Sequence, residues 1–489
     1  MKPDFRKTIF LILMGASILV VAIFLVFSAS SGYWGFPLDD AWIHQVYARN
    51  LVQRGEWSFN PGQPSGGSTS PLWSVLLAGA YLLKISPIIW SGFLGLLSLF
   101  GIALFAELIL RRWVPAYSGL LPWVGLFFIF EWHLIWASVS GMETVVYICL
   151  ILAVFFFLGQ GKEKSWLAGL LIGLSVWVRP DGITLLGPAL LLVVCRKQRW
   201  HSTARDLATI LAIFLCLFAP YLLFNYQLAG SPWPSTFSAK QAEYSASTTL
   251  PIFTRLGSLI LPFLAGGGVI LLPGIIAAAI CIWKEKKVEQ AGVFLWFTGY
   301  LVLYAVRLPV NYQHGRYMMP AMAGFFLIGL WGVITLVNQW GKNRRANLSR
   351  MFWLSALAAV TLTFFVMGLA AFRTDVGIIE TEMVQTARWL RDNTPAGSRL
   401  AVHDIGAIGY FSNRDVVDLA GLVNPEVIPI MRDEDQLAAY LNRKDVDYLV
   451  TFPAWYPKMT SHARQVYQTG GKISPLSGGE NMTVYAWKK

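Results

Sequence analysis

The chain has 489 residues, 55% of them hydrophobic, 14% aromatic and only 13% charged, a balance too apolar for a soluble enzyme of this length. Its formal charge of +12 would suit a nucleic-acid partner, but eighteen of the Lys and Arg residues fall in short clusters between apolar segments: Lys2/Arg6/Lys7, Arg111/Arg112, Lys162/Lys164, Arg196/Lys197/Arg199/Arg205, Lys284/Lys286/Lys287 and Lys342/Arg344/Arg345/Arg350. That distribution is the positive-inside signature of a polytopic membrane protein, so nucleic acid is excluded as the reason for the charge.

In chain order, residues 9–30 follow a basic start and are too long for the apolar core of a signal peptide; they predict an uncleaved first transmembrane helix. Residues 31–87 form a large first external loop. It carries the adjacent carboxylates Asp39 and Asp40, His44, and a Gly/Ser-rich run ending Ser68-Thr69-Ser70-Pro71. Residues 71–85 are apolar but short, and counting them as a span would put Arg111/Arg112 outside. They are therefore expected to lie as a helix along the external interface.

Further apolar segments occupy about 88–110, 118–130, 144–160, 165–178, 183–195, 207–229, 256–283, 291–306, 320–340 and 351–372. With residues 9–30 this makes about eleven transmembrane helices, amino terminus cytoplasmic and carboxyl terminus external, with every basic cluster inside. Several segments are short for a hydrocarbon core of about 30 Å, so their ends must extend into polar flanks.

Residues 1–372 thus read as a transmembrane domain of the cell membrane. Residues 373–489 hold 14 of the 27 acidic residues and alternate helical and strand patterns. Helices are expected over 380–392 and 433–444 and strands over 399–403, 415–419 and 446–452, a small external α/β domain. The four cysteines (Cys149, Cys195, Cys216, Cys281) lie in or at the ends of apolar segments without metal or redox spacing.

With this topology the unusual polar groups gather on the external side: Asp39, Asp40 and His44, then Glu131 and His133, Glu143 in Ser140-Gly141-Met142-Glu143-Thr144, Arg179 and Asp181 in Arg179-Pro180-Asp181-Gly182, Lys240 in the run from Pro234, and His314 and Arg316 in the stretch Asn311–Tyr317. Each has a plain structural alternative. The two Asp could cap a helix starting at Ala41, Glu143 could cap the helix at Thr144, Arg179 could pair with Asp181, and Arg316 could snorkel.

Taken together, a carboxylate pair with separated Arg and Lys at a membrane surface suits transfer of a sugar from a polyprenyl phosphate. An Asp would act as general base on an acceptor hydroxyl while cations meet the charge developing on the phosphate. Asp39 or Asp40 is the expected base, with Asp39, the first of the pair, preferred. A divalent ion between the carboxylates and His44 is the alternative way to meet that charge, so metal dependence stays open. A transporter or flippase of lipid-linked sugars and a non-catalytic assembly subunit of the cell envelope are the rival readings.

These residues also carry a resemblance. Asp39-Asp40-Ala-Trp-Ile, Tyr47-Ala-Arg49-Asn50, Phe59-Asn60-Pro61-Gly62, Thr69-Ser70-Pro71-Leu72-Trp73, Ser140-Gly141-Met142-Glu143-Thr144, Arg179-Pro180-Asp181-Gly182, Pro234 to Lys240 and Gly315-Arg316-Tyr317 occur in that order along most of the chain. Asp404-Ile-Gly406 and Val417-Asp418 follow in the tail. The set resembles the C-type (GT-C) integral-membrane glycosyltransferases, in particular the group of the mycobacterial terminal β-arabinofuranosyltransferase and its bacterial relatives.

The resemblance implies a polyprenyl-phosphate sugar donor, a catalytic Asp in the first loop, and inverting transfer to a glycan or other cell-envelope acceptor on the external face. It leaves the sugar open. The group often reads Pro-Asn-Thr where this chain has Pro234-Ser235-Thr236.

Overall fold

In a computed structural model, six helices among the described residues are long and apolar enough to cross a membrane: Arg6–Ser30, Pro87–Trp113, Trp200–Ala229, Gly267–Glu285, Met319–Val337 and Asn347–Asn393. The structure describes residues 3–115, 117, 119–161, 164–196, 198–339 and 344–487. Lys2, Lys162, Lys197 and Lys342 of the basic clusters, and positions 118 and 340 at the ends of two expected spans, lie outside these.

Shorter apolar helices pack among the long ones. Thr144–Leu158 has 15 residues, only about 22 Å at the α-helical rise, so it crosses the hydrocarbon only with help from its flanks. The first helix, Pro3–Ser30, buries Leu13, Val20 and Phe24 and packs on Pro87–Trp113, the pair of short helices that follows it, and Arg344–Ile379. Glu107 and Arg111, four residues apart on Pro87–Trp113, form the expected helical ion pair at 2.5 Å.

One expected span ends where foreseen, with a further helix after it, and another is broken. The segment expected at 118–130 is a helix Trp123–Phe130 that stops at Glu131 and restarts as Trp132–Val139, because the Glu131 side chain accepts from Leu134 N (3.2 Å) and caps the second helix. The segment expected as one span at 256–283 is Ile252–Leu264, a turn, and Leu272–Glu285. Pro262 removes an amide donor, and Gly266 sits at φ +140°, a conformation L side chains rarely adopt. Apolar composition looks continuous over 256–283 because this break is not made by charge. Residues 71–85, expected as an interfacial helix, form Pro71–Leu83, started by Pro71 in its first turn and packed on Asp39–Arg54 and Pro87–Trp113.

The soluble domain holds a five-stranded sheet: β1 (Arg399–Val402), β2 (Asp415–Asp418), β3 (Tyr448–Thr451), β4 (Arg464–Gln468) and β5 (Thr483–Ala486), in the order β2-β1-β3-β5-β4. β1 runs parallel to β2 and β3, while β5 runs antiparallel to β3 and β4. Three of the strands and the helix Glu434–Arg443 match expectation; β4 and β5 were not foreseen. Because β1 is covered on both faces it reads as the apolar run Leu-Ala-Val and not as an alternation. Ala401, Val417 and Leu449 face Leu437 and Leu441 of the outer helix, and Leu400, Val402, Val416 and Val450 join the core that continues into the membrane part.

The boundary expected after Phe372 falls inside a helix. Arg344–Ile379 continues through a π-helical turn, Glu380–Val384, into Gln385–Asn393, so one helix links the two parts. Loop contacts complete the union: Asn60 Nδ2 donates to Val416 O in β2 (2.8 Å) and Val416 N donates back to Asn60 Oδ1 (3.0 Å). Arg49 donates to Tyr410 O (2.8 Å).

Candidate functional site

The helix Asp39–Arg54 starts at the carboxylate pair, two residues earlier than a capping role at Ala41 requires, and neither Asp caps it through its side chain. Both acids lie in the first turn, where negative charge suits the helix dipole. Consecutive helical residues point about 100° apart, so the two carboxylates diverge.

Asp39 is turned to the soluble domain. Its Oδ2 accepts from Gly406 N (2.6 Å) and its Oδ1 from Ala407 N (2.8 Å), at the start of the helix Ile405–Phe411. Burial, and then the nearby Asp404, push its pKa up to about 8 against the pull of the two amides.

Asp40 faces a cavity. Its Oδ2 pairs with Lys240 Nζ (3.3 Å) and with Arg316 Nη2. Burial alone would raise Asp40, but Lys240 and Arg316 override it and hold the carboxyl well below the usual carboxylate range. Lys240 comes from the helix Ser235–Glu243, opened by Pro234.

Arg316 follows three successive residues in the left-handed region, Gln313 (φ +53°), His314 (φ +58°) and Gly315 (φ +68°). Only Gly adopts that conformation without cost. The turn sends His314 and Arg316 to different places. The Tyr317 hydroxyl sits between the cations, accepting from Lys240 (2.9 Å) and Arg316 (3.2 Å). Burial would raise Tyr317, yet Arg316 and Lys240 bring it down to about 8.

A second polar group lines the same cavity. Arg179 Nη2 lies 3.1 Å from Asp181 Oδ2 and Arg179 Nη1 lies 3.5 Å from Glu143 Oε1. Tyr304 and Tyr300 donate to Asp181 Oδ2 (2.6 and 3.1 Å). Glu143 makes no cap bond to the helix Thr144–Leu158. His44 Nδ1 meets the hydroxyls of Ser68 and Ser74, both at 3.1 Å.

Asp40, His44, Glu143, Arg179, Asp181, Lys240 and Arg316 are thus gathered on one cavity. Two expected site residues are not. Asp39 borders neighbouring clefts only, and His314 turns to Asp375 (Nε2 to Oδ2, 2.7 Å) between the rings of Trp132 and Trp136.

Sequence reasoning missed Tyr317, which stood in view beside Arg316. It also missed Tyr300 and Tyr304, whose i,i+4 spacing on the apolar helix Val288–Arg307 marks a polar stripe. Leu422 of the soluble domain also lines the cavity. Beyond Pro180, Asp181, Phe237, Tyr304 and Leu308, an adjoining cleft is walled by Ile183, Trp233 and Leu303. Among the described residues no three His, Cys, Asp or Glu side chains converge as a metal-ligand group.

A family model described as a domain of unknown function (DUF8728) matches residues 374–485, the soluble domain with the end of its linking helix. No curated protein matches the sequence. Among solved structures, ArnT from Cupriavidus metallidurans bound to undecaprenyl phosphate aligns with TM-score 0.60 at 12% identity over 98% of both chains. The oligosaccharyltransferase AglB from Archaeoglobus fulgidus, in complex with an inhibitory peptide and a dolichol-phosphate, aligns with TM-score 0.61 at 12% identity over 92% of this chain and 70% of its own.

The arabinofuranosyltransferase AftD from Mycobacteria aligns with TM-score 0.52 at 14% identity over 98% of this chain, which spans 41% of that protein's length. Identities this low carry architecture alone. The chain therefore has the GT-C fold: a membrane-embedded helical body with the carboxylate-bearing first loop clasped against a small α/β domain.

Proposed function

We propose that the protein transfers a sugar from a polyprenyl phosphate to an acceptor hydroxyl on the external face of the membrane, with Asp40 as general base. The observation that carries this reading is the double pairing of Asp40 by Lys240 and Arg316 on a cavity that adjoins a mostly apolar cleft, which also holds Thr184 and Arg307. A lipid phosphate entering the cavity competes for both cations, and a guanidinium offers two parallel N–H donors to two phosphate oxygens. The apolar cleft offers Trp233, Phe237 and Leu303 to the first prenyl units. Undecaprenyl phosphate and dolichol-phosphate are the lipids bound by two of the similar structures.

In the proposed reaction, the acceptor oxygen attacks the anomeric carbon as the bond from that carbon to the phosphate oxygen breaks. The acceptor proton passes to Asp40, and the leaving polyprenyl phosphate keeps the electron pair, its charge met by Arg316 and Lys240. A single displacement inverts the anomeric centre. With its cations drawn to the phosphate, Asp40 regains basicity, which makes donor binding the step that arms the base. The expected role of Asp39 as base passes to Asp40 in this scheme, because Asp39 is committed to the amides of Gly406 and Ala407.

The basic clusters between spans support a cytoplasmic amino terminus and an external soluble domain. Incubation of the purified protein with labelled polyprenyl-phosphate sugars and hydroxyl acceptors tests the proposal: a new glycosidic bond is expected. Movement of lipid across a bilayer without bond formation would overturn it.

A further inference from the structure

Four buried polar atoms on the cavity wall have no hydrogen-bond partner among the described residues: Ser70 Oγ, Glu143 Oε2, Thr236 Oγ1 and Arg316 Nη1. A buried polar atom without a partner is costly, and a charged one more so. Arg316 Nη1 is answered by the lipid phosphate of the proposed reaction. The other three are not.

Glu143 is the most telling of these. Its side chain is more than nine-tenths buried. It is fixed on one side by Arg179, while Oε2 faces His44 Nε2 at 3.8 Å, too far for a hydrogen bond. His44 is fixed in turn, since its Nδ1 is met by the hydroxyls of Ser68 and Ser74. An acceptor and a ring nitrogen thus face each other on the cavity wall, each anchored from behind.

We propose that Glu143 and His44 form the recognition site for one hydroxyl of the donor's sugar. The hydroxyl donates to Glu143 Oε2 and accepts from His44 Nε2–H. Burial is the main influence on His44 and lowers its pKa against the raising effect of Glu143 and Asp40, so the ring is neutral and carries one N–H. The serine hydroxyls can donate to Nδ1, which places that proton on Nε2.

The chemistry selects the ligand class. A hydroxyl both donates and accepts; an ammonium at the same position donates only, and a deoxy carbon does neither. The donor is therefore a sugar with a free hydroxyl at the position that meets Glu143. Ser70 and Thr236 remain for its other polar groups. This inference rests on the lipid-linked donor proposed above.

The test is binding of undecaprenyl phosphate, bare or carrying glucose, mannose, arabinose or glucosamine, to the full-length protein and to Glu143→Gln. The wild type is expected to hold at least one sugar-bearing lipid about tenfold or more tighter than the bare lipid. Glu143→Gln is expected to keep its affinity for the bare lipid and lose that preference. A preference undiminished in Glu143→Gln, or equal wild-type affinity for bare and sugar-bearing lipids, overturns the inference.

Should Glu143→Gln fail to fold, monodeoxy forms of the preferred sugar put the same question to the wild type. One position is expected to abolish the preference, and equal tolerance at every position overturns the proposal. Failure of the wild type to bind even bare undecaprenyl phosphate is a different result, which removes the lipid-donor reading itself.

Discussion

Asp39 Oδ2 lies 2.6 Å from Gly406 N, a contact across 367 positions of sequence that leaves the neighbouring carboxylate, Asp40, free to face the cavity. Two adjacent acids of the same type therefore serve different parts of the molecule. Asp40→Asn is expected to lower turnover by about 10² or more. Asp39→Asn, whose amide can accept at only one position, is expected to lower thermal stability as well as activity. Turnover measured on both variants tests the assignment, which full activity in Asp40→Asn would contradict.

The same contact sets a steric limit at Gly406. A Cβ there would stand 2.0 Å from Asp39 O and 2.8 Å from Asp39 Oδ2. Gly406→Ala must push the soluble domain away from the helix Asp39–Arg54, at a cost of about 1–3 kcal/mol typical of overpacking. Hydrogen exchange over residues 39–54 and 405–411 is expected to rise in this variant. Gly397→Ala, where nothing lies within 4 Å, is the control and is expected to change little.

A guanidinium and an ammonium differ at a phosphate. Arg316→Lys keeps the charge but loses the paired N–H donors, so donor affinity or turnover is expected to fall at least about tenfold. Arg373→Lys, whose guanidinium lies over the Phe27 ring 5.9 Å from its centre, is expected to change either by less than about twofold. Near-wild-type behaviour of Arg316→Lys would move the phosphate site to Lys240.

The depressed Asp40 predicts a split between pH profiles. A carboxylate whose pKa is lowered on folding contributes stability above its ordinary value near 4, and that contribution is lost as pH falls through the lower folded value. The donor-free cluster is therefore expected to be insensitive to pH from about 5 to 7. Once phosphate draws away Lys240 and Arg316, Asp40 titrates higher, so the acid limb of kcat is expected at higher pH than any acid limb of kcat/KM assigned to Asp40. Coincident limbs would contradict the exchange of partners.

Asp40 already has two cationic partners, so the proposed chemistry meets the phosphate charge with side chains. Activity is expected to survive exhaustive chelation. Loss on chelation with recovery on adding a divalent ion would instead place the metal at Asp40 and His44.

Much of this was legible in the sequence because it is written locally. The membrane class follows from apolar runs and basic clusters, and the parallel strands from Leu400-Ala-Val and Val416-Val. Asp40, Lys240 and Arg316 could be named as polar groups on one side, but their meeting could not be foreseen, since Lys240 and Arg316 lie 200 and 276 residues from Asp40. The choice between Asp39 and Asp40 is open in the sequence for the same reason: a local pattern shows two carboxylates, while their directions depend on where the soluble domain docks. His314 was grouped with Arg316 by proximity, and three left-handed residues separated them. The break near Gly266 escaped notice because hydropathy averages over a proline and a glycine.

The exchange between Asn60 and Val416 has a consequence for the assembled sheet. β2 is an outer strand, and an outer strand presents unpaired amides to which another chain can add. The side-chain amide of Asn60 carries one N–H and one C=O toward Val416, in the way a residue of a sixth strand would. The first loop thus supplies a one-residue counterfeit strand that blocks edge-to-edge association, and a soluble domain expressed without that loop is exposed to self-pairing along β2.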